Sequence, residues 1–365
     1  MHPSPRPPAR PETRRRRFVF AVSALALAVT ACGPGTADDT AAEISTVETS
    51  DTAAPVTGDA SADATTDATT NDTIDTSAFP ITVTHALGTT EIPAAPQRVV
   101  ALDRSVIDAA LALGLDVVGY TTFSDPDGAL PEYFGDAIDE HAADAEWVGD
   151  LISPNLEAIA ALEPDLILTA AVRHEGIYDE LAAIAPTVAT ESAGGGWKDG
   201  FALVAEATGR AELAEDLLAD YVARAAAVGA DINAAADEPT ISVVRFADAI
   251  RLYQPVSFSG TVLDDAGLAR PESQQDQEEF IRVISEEELA LADADVLLYT
   301  VPRNDAVEEN ATAIQSRPLW STLTAVQSAN AHAVADDSWM SGVGLYGAHL
   351  ILDDLASIFD VDPHG

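Results

Sequence analysis

The chain has 365 residues, 47% of them hydrophobic, enough for one large domain or two of ordinary size. It carries 61 acidic residues against 18 basic ones, a formal net charge of -43. A surface of that sign repels phosphate backbones and excludes nucleic acid as a partner. Cys32 is the only cysteine, so no internal disulfide can form.

Arg14 to Arg17 form a basic cluster, and Phe18 to Ala31 form an apolar run too short to span a bilayer comfortably. A basic flank, a short apolar core and small residues before a cut predict a signal peptide over residues 1–31. Val29-Thr30-Ala31-Cys32 resembles a bacterial lipobox, which implies that the Cys32 thiol receives a diacylglyceryl group and becomes the new N-terminus. Two acyl chains hold a protein on a membrane far better than one. Arg15-Arg16-Arg17-Phe18-Val19 also resembles a twin-arginine signal, although a generic basic leader explains it as well. Gly33 to Ser77 is built mostly of Thr, Ala, Asp, Ser and Gly, with no basic residue. It has too little apolar mass to offset its ordering entropy, so residues 32–78 are expected to be a disordered acidic tether.

The expected first lobe occupies residues 79–208. Ile81 to Thr84 alternates like a short strand, and Val99 to Leu102 is a continuous apolar strand of the buried kind. Ser105 or Asp103 can cap the helix that follows and ends at Gly114. Val117 to Tyr120, Leu166 to Thr169 and Thr187 to Ala189 are further strands, with helices over LEAIAAL and Ile177 to Ile184 between them. Short apolar strands alternating with helices predict a parallel sheet.

Ala211 to Ile232 predicts one long helix. Ala214, Leu217, Leu218, Tyr221, Val222, Ala225, Val228 and Ile232 recur at steps of three and four. Gly209 precedes it and Pro239 follows it. It is expected to be a strut over residues 209–237. The second lobe, 238–365, carries strands at Ile241 to Phe246, Asp295 to Tyr299 and Ala331 to Val334, and a last helix from Gly344 to Phe359.

Catalytic signatures are weak. Gly342-Val343-Gly344-Leu345-Tyr346-Gly347 fits G-x-G-x-x-G, but the chain ends before a dinucleotide-binding unit could close. The histidines are scattered and lack the i, i+4 spacing of a helical metal site, so no metal ligands are expected. What recurs is Arg at strand ends, where ligands bind in open parallel sheets. Arg104 follows one strand and Arg173 another; Arg245 ends a third, with Arg251 and Tyr253 close behind; Tyr299 ends a fourth, with Arg303 just past it. Trp197 sits on the loop Gly194 to Gly196, and Trp339 on the loop after Val334. Each Arg could instead serve a salt bridge. Together they offer planar forks for anionic or carbonyl oxygens, with flat aromatic area beside them.

The run THALGTTEIPAAPQRVVALDRSVIDAALALGLDVVGY resembles the opening of iron-siderophore substrate-binding proteins of ABC importers. SPNLEAIAALEPDLILTA, SFSGTVLDDAGLARP, ISEEELALADADVLLYT and the final LDDLASIF continue the resemblance. It implies a class III periplasmic-binding-protein-like fold, with two α/β lobes joined by one long helix and the ligand between them. It implies a binding protein rather than an enzyme, with no intrinsic cofactor. Its ligand would be a ferric siderophore, and cobalamin or haem is the same-class alternative. An extracellular two-lobe enzyme is the different-class alternative. The implied partners are a permease and, through Cys32, the outer face of the cell membrane, with the chain a monomer. The ligand-facing set would be Arg104, Arg173, Trp197, Arg245, Tyr253, Tyr299, Arg303 and Trp339. In this family one Glu on each lobe docks on the permease; by position these fall on Glu157 and on Glu287, with Glu286 and Glu288 adjacent.

Overall fold

The computed structural model describes residues 78–122, 128–192 and 194–365. The expected leader, lipid-bearing Cys32 and tether lie outside the described residues. A hairpin of β1 (Ile81–His85) and β2 (Gly88–Ile92) opens the first lobe. Its sheet holds β3 (Val99–Ala101), β4 (Val117–Thr122), β5 (Glu146–Asp150), β6 (Ser153–Pro154), β7 (Leu166–Ala170) and β8 (Thr187–Thr190). Their spatial order is β6-β5-β4-β3-β7-β8, parallel throughout except for the short edge strand β6. Helices α1 (Arg104–Ala112), α2 (Asp136–His141), α3 (Leu156–Ala161), α4 (Ala171–His174), α5 (Tyr178–Ala182) and α6 (Trp197–Thr208) connect the strands and cover the sheet. β3 and β7 are buried at every position, as strands covered on both faces must be.

α7 spans Ala211–Ala236, 26 residues, about 39 Å at the usual rise per residue. It buries Ala214, Tyr221, Ala225, Val228, Gly229 and Ile232, while Val222 of the expected stripe is exposed. Gly229 lets α7 touch the second lobe, since a Cβ there would lie 1.6 Å from the Ala266 carbonyl oxygen. Asp237, in the left-handed conformation, ends the helix.

The second lobe holds β9 (Ile241–Phe246), β10 (Ile250–Tyr253), α8 (Phe258–Asp265), β11 (Ile281–Ile284), β12 (Val296–Thr300), α9 (Asp305–Gln315), α10 (Thr324–Gln327), β13 (Ala331–Ala333) and α11 (Leu345–Phe359). Its sheet order is β11-β10-β9-β12-β13. β9, β12 and β13 are parallel, but β10 and β11 run antiparallel, so this sheet is mixed rather than purely parallel. The reason is local. β9 and β10 form a tight hairpin through residues 247–249, which reverses the chain, and the edge strand β11, with Arg282 and Val283 exposed, pairs antiparallel to β10.

One core runs through both lobes. It links α1 and α6 to α7, α8 and α11 through Leu111, Phe201, Tyr221, Val262 and Ile351. Lys198, the only lysine, holds Asp265 at 2.6 Å, and the Tyr221 hydroxyl donates to the same carboxylate at 2.9 Å. The end of α8 is thereby tied to both α6 and α7.

Candidate functional site

The ends of the parallel strands place an array of ion pairs across the two lobes. Asp103 caps α1: its Oδ1 accepts from the Ser105 N–H at 2.9 Å and from the Ser105 hydroxyl at 2.7 Å. Its Oδ2 faces Arg173 Nε at 3.3 Å, joining the end of β3 to the end of β7. The next residue, Arg104, reaches the second lobe, with Nη1 4.0 Å from Asp337 Oδ1. Asp337 Oδ2 lies 3.4 Å from Arg303 Nη2, beyond the end of β12. Neighbouring Asp336 takes the fork of Arg245, Nε at 2.7 Å and Nη2 at 2.6 Å. Its Oδ1 also accepts from the Thr300 hydroxyl at 2.9 Å. Arg251 stands opposite Arg245 in the β9–β10 pairing and ion-pairs with Asp248. Arg173, Arg104, Arg303, Arg245 and Arg251 thus form one contiguous series, because each pair adjoins the next in sequence or in register.

Exposure divides the series. Arg303 is 91% exposed, while Arg104 and Arg245 are 16% exposed. Arg104 Nη1 is buried, and the guanidinium lies against the buried Tyr133 side chain, where it opposes the rise that burial imposes on the phenol pKa. Desolvation opposes the Arg245 charge, but the Asp336 pair and Tyr253 outweigh it and hold the guanidinium above its ordinary range. Arg245 Nη1 remains 3.5 Å from the Tyr253 hydroxyl. Buried Arg270 donates to the Tyr253 carbonyl and, at 3.1 Å, to the Gln274 carbonyl, so Tyr253 rests on a fixed backbone. Burial lowers the Arg270 pKa to about 10.

Four expected residues stand elsewhere or play structural parts. Trp197 is 2% exposed; its ring packs edge-on against Tyr221 and Phe258 and its indole N–H donates to the Thr261 hydroxyl at 3.2 Å. Trp339 is 0% exposed and donates to Asp354 Oδ2 at 2.7 Å. Both are core residues on helical segments, inaccessible to a ligand. Tyr299 lies on the opposite face of β12 from Thr300, edge-on to Phe246 and Trp320, so strand alternation directs it away from Arg245. Tyr253 lies beside Arg245 but is only 5% exposed.

Sequence reasoning missed two residues here. Phe280 is 45% exposed and stacks edge-on against Tyr253 at 5.8 Å, giving the aromatic face that the tryptophans do not. His174 is buried beside Arg173. Its Nε2 donates to the Leu151 carbonyl at 2.6 Å, so Nδ1 accepts from the Thr169 hydroxyl at 2.5 Å, and burial lowers its pKa. It pins the base of α4, which carries Arg173. A histidine four residues after an apolar strand carries no pattern that announces this.

Two surface concavities lie away from the array. One is bounded by His85, Thr190, Glu191 and Asp199, the other by Asp295, Asn330, His332 and Phe359. Neither collects guanidinium groups. No group of three or more His, Cys, Asp or Glu among the described residues is placed to hold a metal ion.

Glu157 and Glu287 are both exposed. Glu157 lies in the first turn of α3, whose cap Asn155 accepts from its N–H at 3.1 Å. In the 3-10 helix Glu286–Ala292, Glu286 ion-pairs with Arg317 and Glu288 completes a capping box with Ser285. Glu287 is the acid of that run with neither an ion pair nor a capping contact among the described residues.

The probable siderophore-binding lipoprotein YfiY of Bacillus subtilis is 39% identical over 294 residues, covering 76% of this chain and 87% of its own. The Fe(3+) dicitrate-binding periplasmic protein FecB of Escherichia coli is 28% identical over 293 residues, covering 78% and 92%. The crystal structure of Staphylococcus aureus SirA complexed with staphyloferrin B matches with a TM-score of 0.70 at 32% identity, covering 78% of this chain and 99% of SirA. With the family model matching residues 99–333, the chain belongs to the periplasmic binding protein family.

Proposed function

We propose that this protein captures a ferric siderophore between its two lobes and delivers it to the transmembrane subunits of an ABC importer, held at the outer face of the membrane by a lipid on Cys32. The observation that carries the reading is the contiguous Arg series at the carboxyl ends of the parallel strands. A ferric siderophore is a large chelate whose own oxygens hold the metal. It therefore requires N–H forks and aromatic surface from the protein, and no protein ligand to iron. Arg104, Arg173, Arg245 and Arg303 supply the polar contacts and Phe280 the flat one. The names of the relatives support the same reading. The chain acts as a carrier, with nothing consumed.

Delivery would use Glu157 and Glu287, one exposed carboxylate on each lobe, docked on permease arginines. A contact desolvated on docking is worth far more than a free surface pair. Glu157→Ala with Glu287→Ala is expected to leave siderophore affinity unchanged in solution and to reduce uptake sharply in cells. Normal uptake by the double variant would count against the docking assignment. Cys32→Ser is expected to move the protein from membranes to the soluble fraction.

The direct test is titration of the purified protein with a panel of ferric hydroxamate, catecholate and citrate-type chelates, and with each metal-free chelator. The expected outcome is saturable binding of at least one ferric form, recovered unaltered. If none binds, the ferric-siderophore reading fails.

A further inference from the structure

The inter-lobe series is almost neutral. Five guanidinium groups are met by four carboxylates: Asp103 on Arg173, Asp337 between Arg104 and Arg303, Asp336 on Arg245 and Asp248 on Arg251. The surplus is one positive charge, in a chain whose formal net charge is -43.

The pairs also decide what each fork can still offer. Asp336 occupies both Nε and Nη2 of Arg245, leaving Nη1 toward Tyr253. That is one N–H contact, suited to a carbonyl or hydroxamate oxygen, where a free fork would take an oxyanion through two parallel bonds. Asp336 is fixed in place by the Thr300 hydroxyl as well and is 11% exposed. Asp337 differs. It is 47% exposed and stands between Arg104 of one lobe and Arg303 of the other at 4.0 and 3.4 Å, longer than a charge-assisted hydrogen bond. It lies in a single turn of π-helix, Asp337–Ser341, a strained form common at functional sites. Asp337 therefore halves the charge of the inter-lobe pair without being spent on either member.

Resting on the ferric-siderophore reading, we propose that Asp336 and Asp337 determine specificity by charge. The ligand is then a ferric chelate of zero to one net negative charge, hydroxamate or mixed hydroxamate–carboxylate in kind. Three dianionic catecholates on a ferric ion leave three negative charges; three hydroxamates leave none. A site with one surplus positive charge in a strongly acidic protein offsets the second kind and not the first.

The test is equilibrium titration of the full chain and of Asp337→Asn, at fixed low salt, with a neutral ferric tris-hydroxamate, a ferric citrate–hydroxamate and a ferric tris-catecholate. The wild type is expected to bind one of the first two most tightly. Asp337→Asn adds one net positive charge and is expected to improve tris-catecholate affinity by about tenfold, while tris-hydroxamate affinity changes by less than about threefold. Tightest binding of the tris-catecholate by the wild type, or an equal shift for both chelates in the variant, overturns the charge assignment while leaving siderophore capture standing. Binding of no ferric chelate at all overturns both.

Discussion

Asp108 of the first lobe accepts the backbone N–H of Leu345, the first residue of α11 in the second lobe, at 2.6 Å. The N–H of Tyr346 points to the same Oδ1 at 3.3 Å. This carboxylate is fully buried and stands at the positive end of a 15-residue helix. The G-x-G-x-x-G run is thereby explained: it presents its helix N-terminus to a side chain of the same chain, where a dinucleotide-binding motif would present it to a phosphate.

Burial pushes the Asp108 pKa up to about 8, against the opposing pull of the N–H groups of Tyr346, Leu345 and Gly347. The unfolded chain would release this proton near the ordinary Asp value, while the native state retains it to about pH 8. This group's contribution is therefore fully present below the ordinary value and is lost as pH rises through about 8. Asp108→Asn cannot titrate. The stability of the variant minus that of the wild type is expected to rise from pH 4 to pH 8, by up to about 1.4 kcal/mol per pH unit, in urea unfolding at a series of pH values. A difference independent of pH would contradict the assignment.

Gly344 makes this contact possible. Its φ is +150°, and a Cβ there would lie 2.1 Å from the Asp108 carboxyl carbon. Gly344→Ala is expected to cost about 2 kcal/mol or more, since both the backbone conformation and the packed carboxylate oppose a methyl group. Thermal unfolding of the variant measures it, and a melting temperature equal to wild type would show that α1 and α11 are not so closely joined.

Trp197→Ala and Trp339→Ala separate structure from binding. Each removes a buried ring whose N–H is satisfied, by Thr261 and by Asp354. Each is expected to cost about 3–5 kcal/mol of stability. Phe280→Ala, half-exposed beside Tyr253, is expected to leave the melting temperature nearly unchanged and to weaken ligand binding. Calorimetric melting and ligand titration of the three variants are sufficient. An unchanged melting temperature for the tryptophan variants would return them to the cleft.

The parallel strands and α7 were legible because each carries its period in its own residues. Val99 to Leu102 and Leu166 to Thr169 are apolar without a break, and Ala214 to Ile232 repeats at helical spacing. The Arg residues were legible as strand-end residues by position alone. Their acidic partners were not, because Asp336 and Asp337 are two among 61 acidic residues and are chosen by tertiary contact. The tryptophans misled for the opposite reason. Gly194 to Gly196 reads as a loop, yet Gly195 lets the chain pass so close to Val256 that a Cβ would lie 2.0 Å from its carbonyl oxygen. α6 begins immediately with a buried Trp197. β10 and β11 escaped notice because each is four residues long and an Arg interrupts its apolar run.

The most direct measurement compares wild type with Arg104→Gln by calorimetric titration with the best ferric chelate of the panel, alongside thermal unfolding of both. Arg104, 16% exposed, stands at the point where the two lobes meet, 4.0 Å from Asp337. Removing a charge-assisted contact of this kind is worth roughly 1.5–3 kcal/mol, about ten- to a hundredfold in affinity. The account predicts saturable binding by the wild type, a loss of that size in the variant and nearly equal melting temperatures. Equal affinity in the two proteins would contradict it.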